Sequence, residues 1–234
     1  MLALGMAVGL LPLAAACDGG EHAESGGQLT RGHVTRLLVT TDNGLRLRPT
    51  DGERVTVDRR VDHHWSRRDG TRVLDLSCAG QCPRMPEVDV PKGTAVTVVG
   101  RNAGIDAAGV PGPLNLSTVN GDVTVTGSGR TDATLRLTTR NGSVRATGLR
   151  ASAVNATTVN GDVTLDCATA PRRVTAATTN GSVDTLLPHD APAYRVTATT
   201  DHGRPTVAVA TSGAPEDRVL RLTTVNGDVR AREG

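Results

Sequence analysis

The sequence predicts an all-β protein whose main part is a parallel β-solenoid of about seven turns, each of about 20 residues, preceded by an irregular β cap. Two observations lead to this fold class. The tripeptide Asn-Gly-Asp/Ser, followed by Val, recurs through the second half of the chain, and apolar residues alternate with other residues ahead of each copy. A fixed period in a strand-rich sequence is typical of stacked, similar turns.

The repeat unit keeps a nearly constant length over its first four copies, which follow one another at steps of 21, 19 and 20 residues. The last copy comes 46 residues later, and a degenerate copy, Thr200-Asp201-His202-Gly203, lies within that interval. The intact copies are centred on Asn120, Asn141, Asn160, Asn180 and Asn226.

Each copy reads apolar-x-apolar-x-Thr-x-Asn-Gly. Side chains two residues apart lie on the same face of a strand, so we expect the Thr and the Asn to point inward with the apolar residues. The stacked asparagines are then expected to form an amide ladder. The Val three residues after the Asn breaks this alternation, and a bend at the Gly explains the break.

A chain of antiparallel hairpins is the alternative architecture, because Asn-Gly is also a strong signal for a two-residue hairpin turn. Hairpins would not require Thr and Asn to recur in step with the apolar residues. The recurrence therefore favours the solenoid.

The first 30 residues carry the features of export rather than of a folded domain. Residues 1–16 are uncharged and apolar, end in small residues and directly precede Cys17, a pattern that predicts a lipoprotein signal peptide with lipidation at Cys17. Cleavage to a soluble secreted protein is the alternative. Residues 17–30 are rich in Gly and acids and predict a flexible tether. We therefore expect an extracytoplasmic protein, anchored by its lipid to the outer face of the cell membrane.

The remaining sequence divides into two regions. Residues 31–92 contain short alternating segments interrupted by Asn-Gly, Asp-Gly and Pro, and we interpret them as an N-terminal β cap region. Residues 93–234 are interpreted as the β-solenoid repeat domain. A cap is expected because an uncovered solenoid end exposes unpaired strand edges.

The cysteines of an exported protein are expected to pair where they can. Cys78 and Cys82 are close in sequence and predict a small-loop disulfide. A zinc site that combines this pair with His63 and His64 is the alternative, although adjacent residues of a strand point to opposite faces. Cys167 lies on an inward column and is expected to be a buried free thiol.

Composition excludes several kinds of binding site. The chain has one Trp, one Tyr and no Phe, so it lacks the aromatic platforms on which sugars and bases stack. Its formal net charge is +2, with acids and bases interspersed, which gives no footprint for nucleic acid. Nothing in the sequence calls for a metal or an organic cofactor.

The repeated TTVNGDV and TTNGSV units, the Cys78/Cys82 loop ahead of VPKGTAVTVV, and the signal before Cys17 together resemble a bacterial β-strand-repeat family of putative adhesins. This family is a domain of unknown function that is common on actinobacterial surfaces. The resemblance covers residues 34–234 and implies a solenoid fold and a surface location. It brings no catalytic residue.

The expected function is that of a non-enzymatic cell-surface lipoprotein, an adhesin or interaction module that binds an envelope protein or a wall polymer. An envelope-stress or regulatory component with a membrane partner is the first alternative, and a polysaccharide-acting β-helix enzyme is a more distant one. Acids follow the corner Gly in only three copies, at Asp122, Asp162 and Asp228. Acids two turns apart lie about 10 Å from one another, which is too far for an ordinary glycosidase pair.

Two insertions suggest where a partner would bind. The repeat lengthens around residues 187–192 and again around residues 211–217, and both insertions come after the second strand of a turn. Solenoids often carry insertions on their binding face. The sequence therefore predicts partner contact at one corner, through His189, Asp190, Glu216 and Asp217.

Overall fold

The computed structural model describes residues 34–234. The predicted signal peptide, the lipidation site Cys17 and the tether lie outside the described residues. Two ten-stranded sheets, here called sheet A and sheet B, contain all the strands of the described part of the chain. The strands are β1 (Arg36–Thr41), β2 (Leu45–Thr50), β3 (Thr56–Val57), β4 (Asp62–Arg68), β5 (Thr71–Ser77), β6 (Glu87–Pro91), β7 (Ala95–Gly100), β8 (Ile105–Ala108), β9 (Leu114–Ser117), β10 (Val123–Thr126), β11 (Thr134–Thr138), β12 (Val144–Leu149), β13 (Ala153–Thr157), β14 (Val163–Cys167), β15 (Arg173–Ala177), β16 (Val183–Leu187), β17 (Arg195–His202), β18 (Pro205–Ala208), β19 (Val219–Asn226) and β20 (Val229–Glu233).

The protein is a parallel β-solenoid, as the repeat predicts. Sheet A has the strand order β17-β19-β15-β13-β11-β9-β7-β1-β5-β4, and sheet B has the order β18-β20-β16-β14-β12-β10-β8-β2-β6-β3. One strand of sheet A and the following strand of sheet B make one rung. Neighbouring rungs pair in parallel, and only the outermost pairs β4 with β5 and β3 with β6 are antiparallel.

The hairpin alternative is wrong for the repeats. Strand β11 pairs with β9 and β13 of the neighbouring rungs, not with β12, which follows it in the chain. The Asn-Gly corner therefore carries the chain from one sheet to the other instead of reversing it within a sheet.

The N-terminal region is more regular than the expected cap. Strands β1 and β2 form a full parallel rung, and β5 and β6 form another, so only β3 and β4 act as antiparallel covering strands. The first of these rungs contains its own copy of the motif, Thr41-Asp42-Asn43-Gly44. It lacks the Asp/Ser after the Gly, so the following inward residue, Leu45, comes one position earlier than in the other copies.

The rungs do not stack strictly in chain order, as successive turns were expected to do. At the N-terminal end, β1 lies between β5 and β7, and at the C-terminal end β19 lies between β15 and β17. The degenerate copy at Thr200–Gly203 therefore belongs to the outermost rung, and the last rung of the chain is inserted beneath it. The first and the last described rung each have a neighbour on both sides.

The core is a narrow column of aliphatic side chains between the two sheets. Each intact copy places the Val after its corner in this column with no exposed surface; these residues are Val123, Val144, Val163, Val183 and Val229. Leu and Ala fill the facing column of sheet A, as at Leu137 and Ala156. The small residues fit the spacing of about 10 Å between packed sheets. In residues 34–234 no helix has the length and apolarity that crossing a membrane requires.

Candidate functional site

The Thr of each repeat is buried at the corner where the chain leaves sheet A. Thr118, Thr139, Thr158, Thr178 and Thr224 are all buried. The hydroxyl of Thr139 donates a 2.8 Å hydrogen bond to the carbonyl oxygen of Gly121, and that of Thr158 donates the same bond to Gly142. Thr178 and Thr224 make the same bond to Gly161 and Gly181, whereas Thr118 donates to the carbonyl oxygen of Ala103 at 2.9 Å. Each hydroxyl thus joins its rung to the corner of the neighbouring rung, and the bond satisfies a buried polar group.

Only glycine fits at this corner. Gly161 has φ +146°, a conformation that residues with a side chain rarely adopt. A Cβ atom at this position would lie 2.2 Å from the carbonyl oxygen of Gly142, the same oxygen that accepts the hydrogen bond of Thr158. Backbone contact between successive glycines therefore sets the close packing of the corner.

The predicted asparagines form one hydrogen-bonded row, but the row lies on the surface. The amide nitrogen Nδ2 of Asn141 donates to Oδ1 of Asn120 at 2.8 Å, and the same 2.8 Å bond links each later pair up to Asn226. Asn102 extends the row by one rung at 3.1 Å. All five predicted asparagines are exposed, so their expected inward orientation is wrong. In the first four copies the strand ends before the Asn, and the bend of the corner turns this side chain outward. Strand β19 continues to Asn226, whose side chain is exposed as well.

Acids and serines alternate at the position after the corner Gly through the five intact copies, and an arginine follows on the outermost rung. In spatial order the residues are Asp122, Ser143, Asp162, Ser182, Asp228 and Arg204. The backbone N–H of Ser143 donates to Oδ1 of Asp122 at 2.8 Å, and the N–H of Asp162 donates to Oγ of Ser143 at 3.3 Å. The five acid and serine side chains each accept a backbone hydrogen bond from the next rung, the last of them from the N–H of Arg204. No two carboxylates in this column occupy adjacent rungs.

The candidate cysteine site is a disulfide. Cys78 and Cys82 are bonded to each other, with their Cα atoms 6.0 Å apart. Their thiolates are therefore not available to hold zinc with His63 and His64. These two histidines lie next to each other on β4, and within residues 34–234 no group of three or more His, Cys, Asp or Glu side chains is placed to bind a metal ion.

Both repeat insertions lie at the corner where the chain passes from sheet B back to sheet A. The first connects β16 to β17 and the second connects β18 to β19, and Tyr194 N–H donates to the carbonyl of Ala210 across the two at 2.8 Å. The four residues predicted to contact a partner, His189, Asp190, Glu216 and Asp217, are exposed there. Asp217 also pairs with Arg172 at 3.5 Å.

The exchanged rung order gives these insertions a structural role. From β16 the chain must pass over the position of β19 to reach β17, and it must then step back to form β19. Both steps need more residues than a passage to the adjacent rung. The extra length of these loops, which predicts a partner surface, therefore also serves the crossover.

A model of the Toastrack DUF4097 family matches residues 110–232, which is more than half of the chain. The chain belongs to this family. The matched segment begins just before β9 and ends within β20, so it covers the intact Thr-x-Asn-Gly corners and both crossover loops.

Two solved structures are similar to this Toastrack chain. One is a putative adhesin from Bacteroides fragilis NCTC 9343, with 14% identity and a TM-score of 0.44 over 87% of this chain and 93% of that chain. The other is a putative cell adhesion protein from Clostridium sporogenes ATCC 15579, with 10% identity and a TM-score of 0.37 over 86% of this chain and 93% of that chain. No curated protein matches the chain.

Two buried side chains under the crossover of this Toastrack domain have polar groups. Tyr194 has no exposed surface, its hydroxyl donates to the carbonyl of Pro171 at 2.6 Å, and the guanidinium of Arg218 lies 5.7 Å from the centre of its ring. Cys167 is buried opposite Leu149, and this burial raises the pKa of its thiol to about 12. Burial also raises the pKa of Tyr194, while Arg218 opposes the shift.

Sequence reasoning gave Tyr194 no role, although it is the only tyrosine of the chain. Its position in the sequence is the signal that could have identified it as part of the core. A single large aromatic side chain in an otherwise thin aliphatic core falls next to a lengthened repeat, where the crossover leaves more space to fill.

Proposed function

We propose that this protein is a non-enzymatic, extracytoplasmic surface module of the adhesin type, held at the membrane by a lipid on Cys17. One observation carries this proposal: the polar side chains of the repeat are used to join one rung to the next. The Thr hydroxyls, the Asn amides and the Asp/Ser oxygens all have partners inside the stack. The repeats therefore build a stiff scaffold, and they leave few polar groups for chemistry.

The acids of the corner column support a structural role in the same way. Asp122 and Asp162 are separated by a serine rung, at about 10 Å from the sheet spacing. Asp122 binds Arg145 at 2.7 Å, and Asp228 binds Arg230 at 2.6 Å. A glycosidase needs two carboxylates across one bond, one of them able to hold a proton. Turnover of envelope polysaccharides that is lost on Asp162→Asn would overturn the non-enzymatic proposal.

Anchoring is tested at the predicted lipidation site. Replacing Cys17 with Ala should move the protein from the membrane fraction to the soluble fraction, and it should abolish incorporation of labelled fatty acid. Cys167→Ala is the matched control, because that thiol is buried in the folded domain and should not affect labelling. A wild-type protein that takes up no label would contradict the lipoprotein proposal.

The crossover corner is the proposed partner surface. His189 and Glu216 are exposed on its two loops, and neither forms a hydrogen bond or an ion pair within residues 34–234. The double variant His189→Ala/Glu216→Ala should therefore weaken capture of a partner from intact envelopes and leave the melting temperature unchanged. His64→Ala/Glu53→Ala removes the same residue types at the opposite end of the stack and serves as the control.

The identity of the captured partner separates the two functions. Wall polymer in the captured material supports adhesion. A membrane sensor as the sole partner supports a regulatory component of the envelope-stress type instead. Equal capture by the two double variants would exclude the crossover corner as the partner surface.

A further inference from the structure

The two ends of the solenoid are finished differently. At the N-terminal end the antiparallel strands β3 and β4 cover the last parallel rung. Strand β3 has two residues, and β4 carries charges along its length, including Asp62, Arg67 and Arg68. Short or charged edge strands oppose the addition of another strand. This end is therefore closed to further pairing.

The C-terminal end has no such cover within the described part of the chain. Strands β17 and β18 are the outermost strands of their sheets, and their inward-facing residues are uncovered. Val207 is 42% exposed, whereas Ala231, its neighbour in the same inward column, is 1% exposed. Val196 and Ala198 are likewise half-buried where Leu220 and Leu222 of the next rung are fully buried.

Unused backbone groups accompany this exposed apolar surface. The N–H of Arg195 donates to Arg218 at 2.9 Å, so it points to the inner neighbour β19. Alternate residues of a strand point their backbone groups to opposite sides, so the N–H and C=O groups of Val196 and Ala198 point to the free edge. The corner continues the pattern: the N–H of Gly227 donates to His202 on the outermost rung, while Gly203 has no following rung.

The free edge of sheet A is better suited to pairing than that of sheet B. Strand β17 spans eight residues, and the segment from Val196 to Thr200 has no charge, proline or bulge. Strand β18 spans four residues and begins with Pro205, which has no N–H to donate. Sheet A therefore offers an extended edge, and sheet B offers a blunted one.

We propose that this end binds a second copy of the chain, through antiparallel pairing of β17 with β17 of the second copy across a two-fold axis. The axis passes next to Ala198, which then lies opposite Ala198 of the second copy. In this register the residues whose backbone groups point to the free edge lie opposite one another in the two copies, as hydrogen bonding in an antiparallel pair requires. The opposed pairs are Arg195 with Asp201, Val196 with Thr200, Thr197 with Thr199, and Ala198 with itself.

The charges of Arg195 and Asp201 favour a second copy of the chain as the partner, and they favour this register over the others. Arg195 and Asp201 are exposed, lie on the outer face, and form no ion pair within residues 34–234. The two-fold axis brings each of them opposite the other residue of the second copy, twice per interface. A register centred on Val196 or on Thr200 keeps the backbone pairing but places Arg195 or Asp201 opposite a threonine.

The closed N-terminal end limits the assembly to two copies. A head-to-tail contact would generate a filament, but β3 and β4 occupy the surface that such a contact needs. Joining C-terminal end to C-terminal end uses up both free edges. The product is a closed dimer with one continuous sheet A.

The test is the oligomeric state of the full chain carrying Cys17→Ala, measured by analytical ultracentrifugation over a concentration series. We expect a monomer–dimer equilibrium. Arg195→Asp should weaken dimerisation by about tenfold or more, because it places two carboxylates opposite each other at both ends of the pairing. Adding Asp201→Arg should restore dimerisation, since the double variant exchanges the charges.

Arg173→Asp is the matched control, because Arg173 lies in the same outward column on an interior rung and should not affect dimerisation. A second measurement uses disulfide formation. Ala198→Cys should form a cross-linked dimer on oxidation, since opposed Cα atoms in an antiparallel pair lie within disulfide range. Thr223→Cys on β19 should not. A protein that stays monomeric at every concentration, grows beyond a dimer, or dimerises without response to the charge exchange overturns the proposal.

Discussion

The hydroxyl of Thr158 and the carbonyl oxygen of Gly142 are joined by a hydrogen bond of 2.8 Å between adjacent rungs. The same bond recurs at Thr139, Thr178 and Thr224, so one copy supplies the donor and the copy stacked beside it supplies the acceptor. The geometry of the corner, which repeats from copy to copy, depends on contacts between copies. It therefore cannot form in a single isolated repeat.

The first prediction concerns this hydroxyl. Thr158→Val keeps the size and branching of the side chain but leaves the Gly142 carbonyl without its buried donor. We expect a loss of about 1–2 kcal/mol in the free energy of unfolding, measured by denaturant titration. Thr164→Val on β14 is the control, because Thr164 is exposed and its loss should change the free energy by less than about 0.5 kcal/mol. Equal losses would mean that the corner bond contributes nothing specific.

The second prediction concerns the corner glycine. Gly161→Ala would place a Cβ atom 2.2 Å from the carbonyl oxygen of Gly142, a backbone atom that cannot move without displacing its own rung. We expect a destabilisation of about 3 kcal/mol or more from the combined clash and strain. At Gly80 a Cβ atom meets nothing within 4 Å, so Gly80→Ala should leave the melting temperature nearly unchanged. A stable Gly161→Ala variant would show that the rungs can separate at the corner.

The third prediction concerns the exposed amide row. Asn160→Ala removes the 2.8 Å bond to Asn141 and the 2.8 Å bond from Asn180, but water can replace both partners at the surface. The expected cost is therefore about 1 kcal/mol, near the lower end for hydrogen bonds. Asn155→Ala on the outer face of β13 is the control and should cost less, since no side-chain bond is lost. A cost as large as that of Gly161→Ala would contradict the surface position of the row.

The fourth prediction concerns pH. Burial raises the pKa of the Cys167 thiol from 9.0 to about 12, so the fold favours the protonated form. The contribution to stability is complete below about pH 9 and is lost as the pH rises toward 12, because only the unfolded chain releases the proton in that window. We expect unfolding free energy to fall by up to about 1.4 kcal/mol per pH unit more steeply in the wild type than in Cys167→Ala. Parallel pH profiles of the two proteins would show that the thiol titrates equally in both states.

The regular part of the fold could be predicted from three features that recur together in every intact copy. These are the repeat period of about 20 residues, the alternation of apolar residues, and the Asn-Gly corner. The side-chain direction of the asparagines could not, since Thr158 and Asn160 are two residues apart and share a face only if the strand continues between them. It ends instead, and the corner turns Asn160 outward. The predicted alternation was thus correct as far as the Thr and wrong beyond it.

The rung order could not be predicted for a different reason. All copies carry nearly the same apolar columns, so β19 fits equally well against β15 whether or not β17 precedes it in the chain. The lengthened loops were the visible signal. A longer connection and an inserted surface loop give the same pattern in a sequence, so the pattern by itself predicts a binding feature as readily as a crossover.

The position of β19 and β20 inside the stack affects how a protein of this kind can change in length. In an array stacked in chain order, a new unit added at the C-terminus simply extends the rod. Here the rung of β19 and β20, which follows all the others in chain order, has neighbours on both faces, and its outer neighbour was made earlier in synthesis. Both of its edges are occupied, so a copy duplicated directly after it would have to cross to the free edges of β17 and β18. A copy inserted between β7 and β16 needs no such crossover, because the rungs there stack in chain order. Gain or loss of a unit is therefore simplest in that internal stretch.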